Sequence, residues 1–173
     1  MFSFKSVITI AWASIPCMLV AAAVPTPARS GYPLETEVAP SQGFNVPWSE
    51  NKAQQHTGID LPAAKGKPIF AVKSGTVYKK GSLGVSSSGV GWGYYIVVLN
   101  DDGTVYGYLH MTEYKSPLPS YVKKGQVIGL VFNNHLHFNE CYQVAGCQHG
   151  AWENPTYNKS MGSLTKYYKQ PRL

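Results

Sequence analysis

Two histidines stand two positions apart in the stretch NNHLHFNEC, at His135 and His137. A β-strand points alternate side chains to opposite faces, so both imidazoles would lie on one face with Cα atoms about 6–7 Å apart. Leu136 and Phe138 would then anchor the other face in a core. Two neighbouring imidazoles repel each other when both are charged. The pair therefore favours an acid or a cation between them.

The stretch HTGID supplies one more imidazole and a carboxylate, at His56 and Asp60. In an extended strand their Cα atoms would be about 13 Å apart, too far to share an ion, so we expect a bend at Thr57-Gly58. Two histidines and one aspartate with an open fourth position are typical of a catalytic zinc site, whereas structural sites more often close with four protein ligands, frequently Cys.

The sequence has five histidines, and each one alone has a simpler explanation. His56 and His149 could be surface residues, and His110, in YLHM, could be a hydrogen-bonded core residue at a strand end. The joint occurrence of these residues with the HLH pair favours a site over separate packing roles.

Strands and turns are expected throughout the part of the chain that carries these residues. The 17 glycines, 12 prolines and 12 tyrosines favour short strands, and beyond the first thirty residues no helical period is present apart from one turn expected around 164–168. Glycine-containing turns are predicted at 73–75 and 101–103. The sequence predicts an all-β fold with strands at 43–46, 67–72, 75–80, 94–100, 104–111, 135–141 and two within 121–132.

Taken in order, the motifs HTGID, AVKSGTV, YLH, VKKGQVIG and HLHF resemble the lysostaphin-type zinc metallopeptidases, peptidase family M23 with its LytM-like domain. The resemblance covers about residues 54–140. It implies a compact antiparallel β-sheet fold, a barrel-like sandwich of the duplicated hybrid motif type with an open groove. It also implies an endopeptidase that hydrolyses peptide bonds in peptidoglycan stem peptides or cross-bridges.

Site roles follow from the same resemblance, motif by motif. One Zn²⁺ per chain would be held by His56, Asp60 and His137. His135 would take the proton of the attacking water, and His110 would steady the tetrahedral oxyanion or protonate the departing amine. Imidazoles suit this work because their unperturbed pKa of about 6.5 lies near working pH.

The sequence departs from the family pattern before the HLH pair. Relatives have a longer Gly/Ser/Thr-rich loop there that walls the groove, whereas here only LVFNN, 130–134, separates Gly129 from His135. We expect this change to affect substrate choice more than zinc binding. Glu140 could orient a ligating imidazole. Side chains alternate along a strand, however, so Glu140 would lie on the same face as Leu136, which argues against that role.

Export is predicted by the first thirty residues and by the cysteines. Lys5, an apolar run and small residues are typical of a secretory signal, 1–23, with cleavage after Ala23 or Ala28; an uncleaved anchor is the alternative. Cys141 and Cys147 would form a disulfide, since two sulfurs alone make a weak zinc site. We expect a leading segment at 24–55, the catalytic domain at 56–158, a tail at 159–173, and secretion to an extracellular or periplasmic location.

Charge and composition limit the partners. The net charge of +6 comes from scattered lysines without a basic run, which argues against nucleic acid as a partner. We expect a monomer that acts on peptidoglycan peptides and has no stable membrane insertion after signal removal. Residues 31–55 could fold back over the zinc, a possibility that the sequence leaves open.

Two alternatives remain at this point. One is a non-catalytic zinc-binding signalling protein of the same fold, which His110 argues against. The other is a wall-binding module in which Trp48, Trp92 and Trp152 stack on sugar rings, although such aromatics more often belong to a core.

Overall fold

The computed structural model of the chain describes residues 23–48, 51–86, 88–112, 118–144, 147 and 168–173, with the backbone alone at 48 and 51–54. Residues 1–22 of the predicted signal, His149 and Trp152 lie outside this part. Within it, no helix is long and apolar enough to cross a membrane. The strands are β1 (Pro47–Trp48), β2 (Asn51–Gln55), β3 (Ile59–Pro62), β4 (Pro68–Phe70), β5 (Gly75–Ser82), β6 (Tyr94–Asn100), β7 (Val105–Met111), β8 (Tyr121–Val122), β9 (Val127–Leu130), β10 (His135–Cys141) and β11 (Tyr168–Lys169).

The main sheet is antiparallel and has the strand order β11-β10-β7-β6-β5-β8. One edge of β10 is shared, because β3 pairs with its first half and β11 with its end, while β7 pairs with the other edge. Two small antiparallel pairs, β1 with β2 and β4 with β9, complete the described architecture. The predicted all-β antiparallel fold is confirmed.

Apolar side chains cover both faces of the central strands. On β6, Ile96 and Val98 pack into one buried cluster with Leu136 and Phe138, and Val97 packs into a second cluster on the opposite face. This two-sided burial explains why YYIVVLN is apolar almost throughout, because each face of the strand meets a core. Phe138 and Leu136 are fully buried, as the alternation in β10 predicts.

Short turns hold the central hairpin in register. Asp101-Asp102-Gly103 connects β6 to β7, and Gly103 has a φ of +81°, a left-handed conformation that suits glycine. The Asn100 amide donates to the Thr104 carbonyl at 2.8 Å, which closes the hairpin. The predicted turn is confirmed at this position.

The strand predicted at 43–46 is wrong. Phe44 and Asn45 form a turn, and the first strand begins only at Pro47. Asn45 has a φ of 60°, which asparagine tolerates better than most residues, while Phe44 packs against both apolar clusters. The anchored aromatic ring and the left-handed residue after it favour a turn over an extended strand.

The carboxyl-terminal residues join the sheet at the end of β10. In β11, Lys169 pairs with Glu140 across the ladder, and its Nζ lies 2.8 Å from Glu140 Oε1. Glu140 is 1% exposed and faces this lysine instead of the histidines, as the alternation of side chains along β10 predicts. Cys141 and Cys147 form the predicted disulfide, with a Cα–Cα distance of 5.4 Å.

Candidate metal centre and catalytic groove

The bend in HTGID brings its histidine and its aspartate to the same point. His56, Thr57 and Gly58 connect β2 to β3, and β3 places Asp60 directly opposite His137 of β10. A Cβ at Gly58 would lie 2.3 Å from the Phe138 carbonyl oxygen, so the bend needs glycine in order to pack against β10. The bend expected at these two residues is therefore present, and local crowding explains it.

Three potential ligand atoms converge at this point. His56 Nε2 lies 3.1 Å from Asp60 Oδ1 and 3.0 Å from His137 Nδ1, and His137 Nδ1 lies 3.0 Å from Asp60 Oδ1. Zinc binds such atoms at about 2.0–2.1 Å, so tetrahedral ligand atoms lie about 3.3 Å from one another. The three residues form a group that could hold one metal ion.

The tautomers of both histidines fit a cation. His56 Nδ1 lies 2.8 Å from the carbonyl oxygen of Gly43, which can only accept, so Nδ1 carries the proton and Nε2 keeps its lone pair. His137 Nε2 lies 3.2 Å from the Thr57 hydroxyl, which can accept its proton and leave a lone pair on Nδ1. Two lone pairs and a carboxylate oxygen then face one another, an arrangement that a cation satisfies.

Asp60 is ionised in this setting. Burial by itself raises the pKa of its carboxyl group, but protons on the facing nitrogens of His137 and His56 would outweigh burial and hold the pKa well below its usual range, and a cation in their place would do the same by its charge. Its backbone is fixed on the side away from His137, where the Asp60 amide donates to the Gln42 carbonyl at 2.9 Å. Residues 41–43 of the leading segment thus support the ligands through backbone contacts.

The other two predicted histidines lie beside the ligand group. The rings of His110 and His135 have centroids 4.8 Å apart, and the His110 ring is 6.2 Å from that of His137. His135 Nε2 lies 3.7 Å from Asp60 Oδ1, and its Nδ1 lies 2.8 Å from Asn134 Oδ1. The structure brings together all five residues that the motifs singled out.

His110 has an unusual backbone conformation. Its φ is 59°, a left-handed value that costs a side-chain-bearing residue about 1 kcal/mol or more. The conformation is held by two neighbours, since Phe132 N donates to the His110 carbonyl at 2.9 Å and His110 Nδ1 donates to the Trp92 carbonyl at 2.8 Å. Burial lowers the pKa of His110 to about 4, with a further lowering by His137. The imidazole is therefore neutral near pH 7.

A groove of about 240 Å³ opens over these residues. Its walls come from separate parts of the chain, and they include Gln42, Gln55, Val90, Trp92, Phe132 and Asn133. Trp92 is half-buried beside His110, with ring centroids 6.3 Å apart, so it belongs to the groove. The sequence did not predict the groups that hold the ring nitrogens. Two of them are backbone carbonyls, at Gly43 and Trp92, and a carbonyl is present in every residue type.

A curated protein is similar in sequence to about half of this chain. Lysostaphin from Staphylococcus simulans is 32% identical over 90 residues, 48% of this chain and 17% of that protein. The chain thus spans less than a fifth of the curated relative's length.

Two solved structures share the fold. A zinc-containing peptidase from Vibrio cholerae matches with a TM-score of 0.52 and 23% identity, over 65% of this chain and 36% of that one. The antimicrobial peptidase lysostaphin from Staphylococcus simulans matches with a TM-score of 0.50 and 23% identity, over 72% of this chain and 53% of that one. The model of peptidase family M23 matches residues 54–146, more than half of the sequence. The chain belongs to peptidase family M23.

Proposed function

We propose that the protein is an exported zinc-dependent endopeptidase that hydrolyses peptide bonds in peptidoglycan stem peptides or cross-bridges. The observation that carries this proposal is the meeting of two groups in one open groove. Three converging ligand atoms of His56, Asp60 and His137 lie beside the paired imidazoles of His110 and His135. Peptidoglycan as the substrate follows from the resemblance to lysostaphin-type peptidases and from membership of family M23.

His56, Asp60 and His137 would hold the zinc, through Nε2, Oδ1 and Nδ1 respectively. A zinc ion in such a site supplies a water whose pKa is lowered to about 7 and polarises the carbonyl that is attacked. The hydrogen bonds of Gly43 and Thr57 on the outer ring nitrogens orient both imidazoles before the ion binds. Three protein ligands would leave a fourth position for that water.

His135 is the residue best situated to take a proton from the attacking water. Its Nε2 faces the ligand group, 3.7 Å from Asp60 Oδ1, and its side chain is 26% exposed at the groove. An imidazole that keeps a lone pair on Nε2 can accept a proton at neutral pH. The proton then resides on Nε2 of this residue until it passes, directly or by way of His110, to the departing amine.

His110 would act on the oxyanion or on the departing amine. Because its Nδ1 donates to the Trp92 carbonyl, the neutral ring presents an unprotonated Nε2. It can therefore donate to an oxyanion or an amine only after it has gained a proton. The neighbouring His135 ring, 4.8 Å away between centroids, is the group from which such a proton can come.

Export accords with the disulfide between Cys141 and Cys147, because such bonds persist in oxidising compartments. The peptidoglycan of a cell wall lies outside the cytoplasm as well. A secreted location, extracellular or periplasmic, is therefore part of the proposal, together with a monomeric chain that carries one zinc ion.

Substitution of His110 tests the proposal. Asn tolerates a positive φ better than most residues, so His110→Asn removes the imidazole with little backbone strain. We expect clearing of a suspension of purified walls to slow by at least about 100-fold, with zinc content unchanged at one per chain. Tyr78→Ala, an exposed change on β5, is the matched control. Undiminished clearing by His110→Asn would contradict the proposed mechanism.

A further inference from the structure

We propose that Asn134 is a positioning residue that fixes the tautomer and the orientation of His135. The inference rests on the proposed function, because it concerns the residue to which proton transfer is assigned there. It assigns a role to the short segment LVFNN, whose last residue is Asn134.

The first step is the contact itself. Asn134 Oδ1 lies 2.8 Å from His135 Nδ1, and an amide oxygen can only accept a hydrogen bond. Nδ1 therefore carries the proton, and the lone pair remains on Nε2. That nitrogen is the one turned toward the ligand group, 3.7 Å from Asp60 Oδ1. The contact thus selects the tautomer that can accept a proton inside the groove.

The second step is that the asparagine itself is anchored. Its carbonyl oxygen accepts a hydrogen bond from the Ala63 amide at 3.0 Å, so the residue is tied to the end of β3. Next to it, His135 pairs with Pro62 in the ladder between β10 and β3. The backbone of Asn134 is therefore held by the same strand that carries Asp60. An anchored acceptor can restrict the imidazole, whereas one on an unsupported loop could not.

The third step is a comparison of the four imidazoles in the groove. Each has one ring nitrogen held by an oxygen, but for His56 and His110 the oxygen is a backbone carbonyl. His137 depends on the Thr57 hydroxyl, and it is a candidate metal ligand, so any change there also alters metal binding. His135 combines a side-chain partner with a place outside the ligand group. A substitution of Asn134 can therefore separate proton transfer from metal binding.

The segment length accounts for this arrangement. Four residues, 131–134, connect β9 to β10, and Phe132 and Asn133 of this connection line the groove. Phe132 N donates to the carbonyl of His110, so the connection is tied to the other candidate catalytic histidine as well. A short, doubly anchored connection can hold a polar side chain immediately before the strand. The segment then supplies a positioning group in addition to a groove wall.

Two substitutions at Asn134 form the test. Asn134→Leu has a similar shape but no acceptor, whereas Asn134→Asp keeps the acceptor at the same position. With the zinc-loaded protein and a soluble peptide substrate, we expect Asn134→Leu to lower kcat by about 10- to 100-fold and to change KM by less than about twofold. Asn134→Asp should keep kcat within about threefold of the parent. Melting temperature and zinc content, measured on the same samples, should be unchanged because the side chain is exposed.

A second readout does not depend on catalysis. Long-range ¹H–¹⁵N NMR spectra of the zinc-loaded protein distinguish protonated from unprotonated ring nitrogens. We expect the His135 signals to report a proton on Nδ1 in the parent and in Asn134→Asp, and a shift toward Nε2–H in Asn134→Leu.

The outcomes of these experiments distinguish the positioning role of Asn134 from the proposed function. An unchanged tautomer and an unchanged kcat in Asn134→Leu would overturn the inference, and so would an equal loss of kcat in both variants. If the parent protein does not hydrolyse peptides, the proposed function fails, while the NMR comparison still decides the positioning role of Asn134.

Discussion

At the scale of single residues, the site depends on which ring nitrogen of each histidine is committed to an outer partner. Thr57 has this role for His137, because its hydroxyl lies 3.2 Å from Nε2 and leaves Nδ1 for the proposed metal. Thr57 is buried, so no water replaces the hydroxyl without cost. Thr57, which lies between the first candidate ligand and the glycine of HTGID, is therefore part of the candidate metal site.

Thr57→Val should weaken zinc binding, because the nearly isosteric side chain offers no acceptor to His137 Nε2–H. We expect the affinity for zinc to fall by about 10- to 100-fold, measured by competition with a chromophoric chelator. Thr57→Ser keeps the hydroxyl and should stay within about threefold of the parent. Equal affinities for Thr57→Val and the parent would refute this outer role.

Gly58→Ala should destabilise the fold, since the added Cβ would lie 2.3 Å from the Phe138 carbonyl oxygen and 2.9 Å from His137 Nε2. We expect the free energy of unfolding in urea to fall by about 3 kcal/mol or more, because β3 must move away from β10. Gly43→Ala is the control, as its Cβ would meet only a Val46 methyl at 4.0 Å. Similar losses in both variants would contradict the packing argument.

The sequence predicted the five central residues but not their partners, and the reason is physical. His56, Asp60 and His137 are identified by residue type, because few side chains can bind zinc. The Gly43 and Trp92 carbonyls cannot be recognised from residue type, because every residue has a carbonyl, and their positions depend on tertiary contacts. Asn134 is recognisable in the sequence as a polar residue beside His135. Polar residues are common in turns, however, so its type alone does not indicate a role.

At the scale of secondary-structure elements, β10 is the strand on which the site depends. It carries two of the histidines, and it is bordered by β7 on one edge and by β3 and β11 on the other. The tail strand β11 adds a charge contact at Glu140, which is buried with its Oε1 at 2.8 Å from Lys169 Nζ. Removal of one partner would leave a carboxylate buried without its cation.

Lys169→Met should therefore lower stability, since it keeps the aliphatic stem but removes the charge that faces Glu140. We expect a loss of about 2–3 kcal/mol in the free energy of unfolding, below the range for fully buried pairs because Lys169 is partly exposed. The double variant Lys169→Met with Glu140→Gln should recover at least half of the loss. Additive losses in that double-mutant cycle would show that the two side chains are not coupled.

Long, patterned strands were predictable and short ones were not. β6 and β10 have the bounds expected from YYIVVLN and HLHFNEC, because each combines apolar residues with clear turn signals. β11 has only two residues, and its pairing with Glu140 and Cys141 arises from the tertiary fold. At 43–46 the expected strand failed because Phe44 is anchored in the core and Asn45 adopts a left-handed conformation.

At the scale of the whole molecule, the groove is assembled from segments that are distant in sequence. Gln42, Val90 and Phe132 all line it, although they come from the leading segment, the loop after β5 and the connection after β9. The family and the candidate metal site can be read from local motifs, whereas the groove walls, which would select a peptide, depend on how these segments pack. For this reason the sequence indicates the proposed chemistry more clearly than the bond that would be cleaved.

Removal of the metal should destabilise the folded protein, because a ligand that binds only the native state stabilises it. At a free zinc concentration of about 100 times Kd, the expected contribution is about 2.7 kcal/mol. We expect a chelator to lower the melting temperature and added zinc to restore it. His137→Ala, which lacks a candidate ligand, should show at most a small zinc-dependent change. A melting temperature of the parent protein that does not respond to zinc would contradict the metal site.

The most direct test of the central claim is mass analysis of the products released from purified peptidoglycan by the zinc-loaded protein, with a chelator-treated sample beside it. Walls with glycine cross-bridges and walls with direct cross-links would both be used, so that the bond is identified along with the activity. We predict released peptides with new amino termini at one peptide bond, and no release after chelation. Binding to walls without peptide release, or release that persists without metal, would contradict the account.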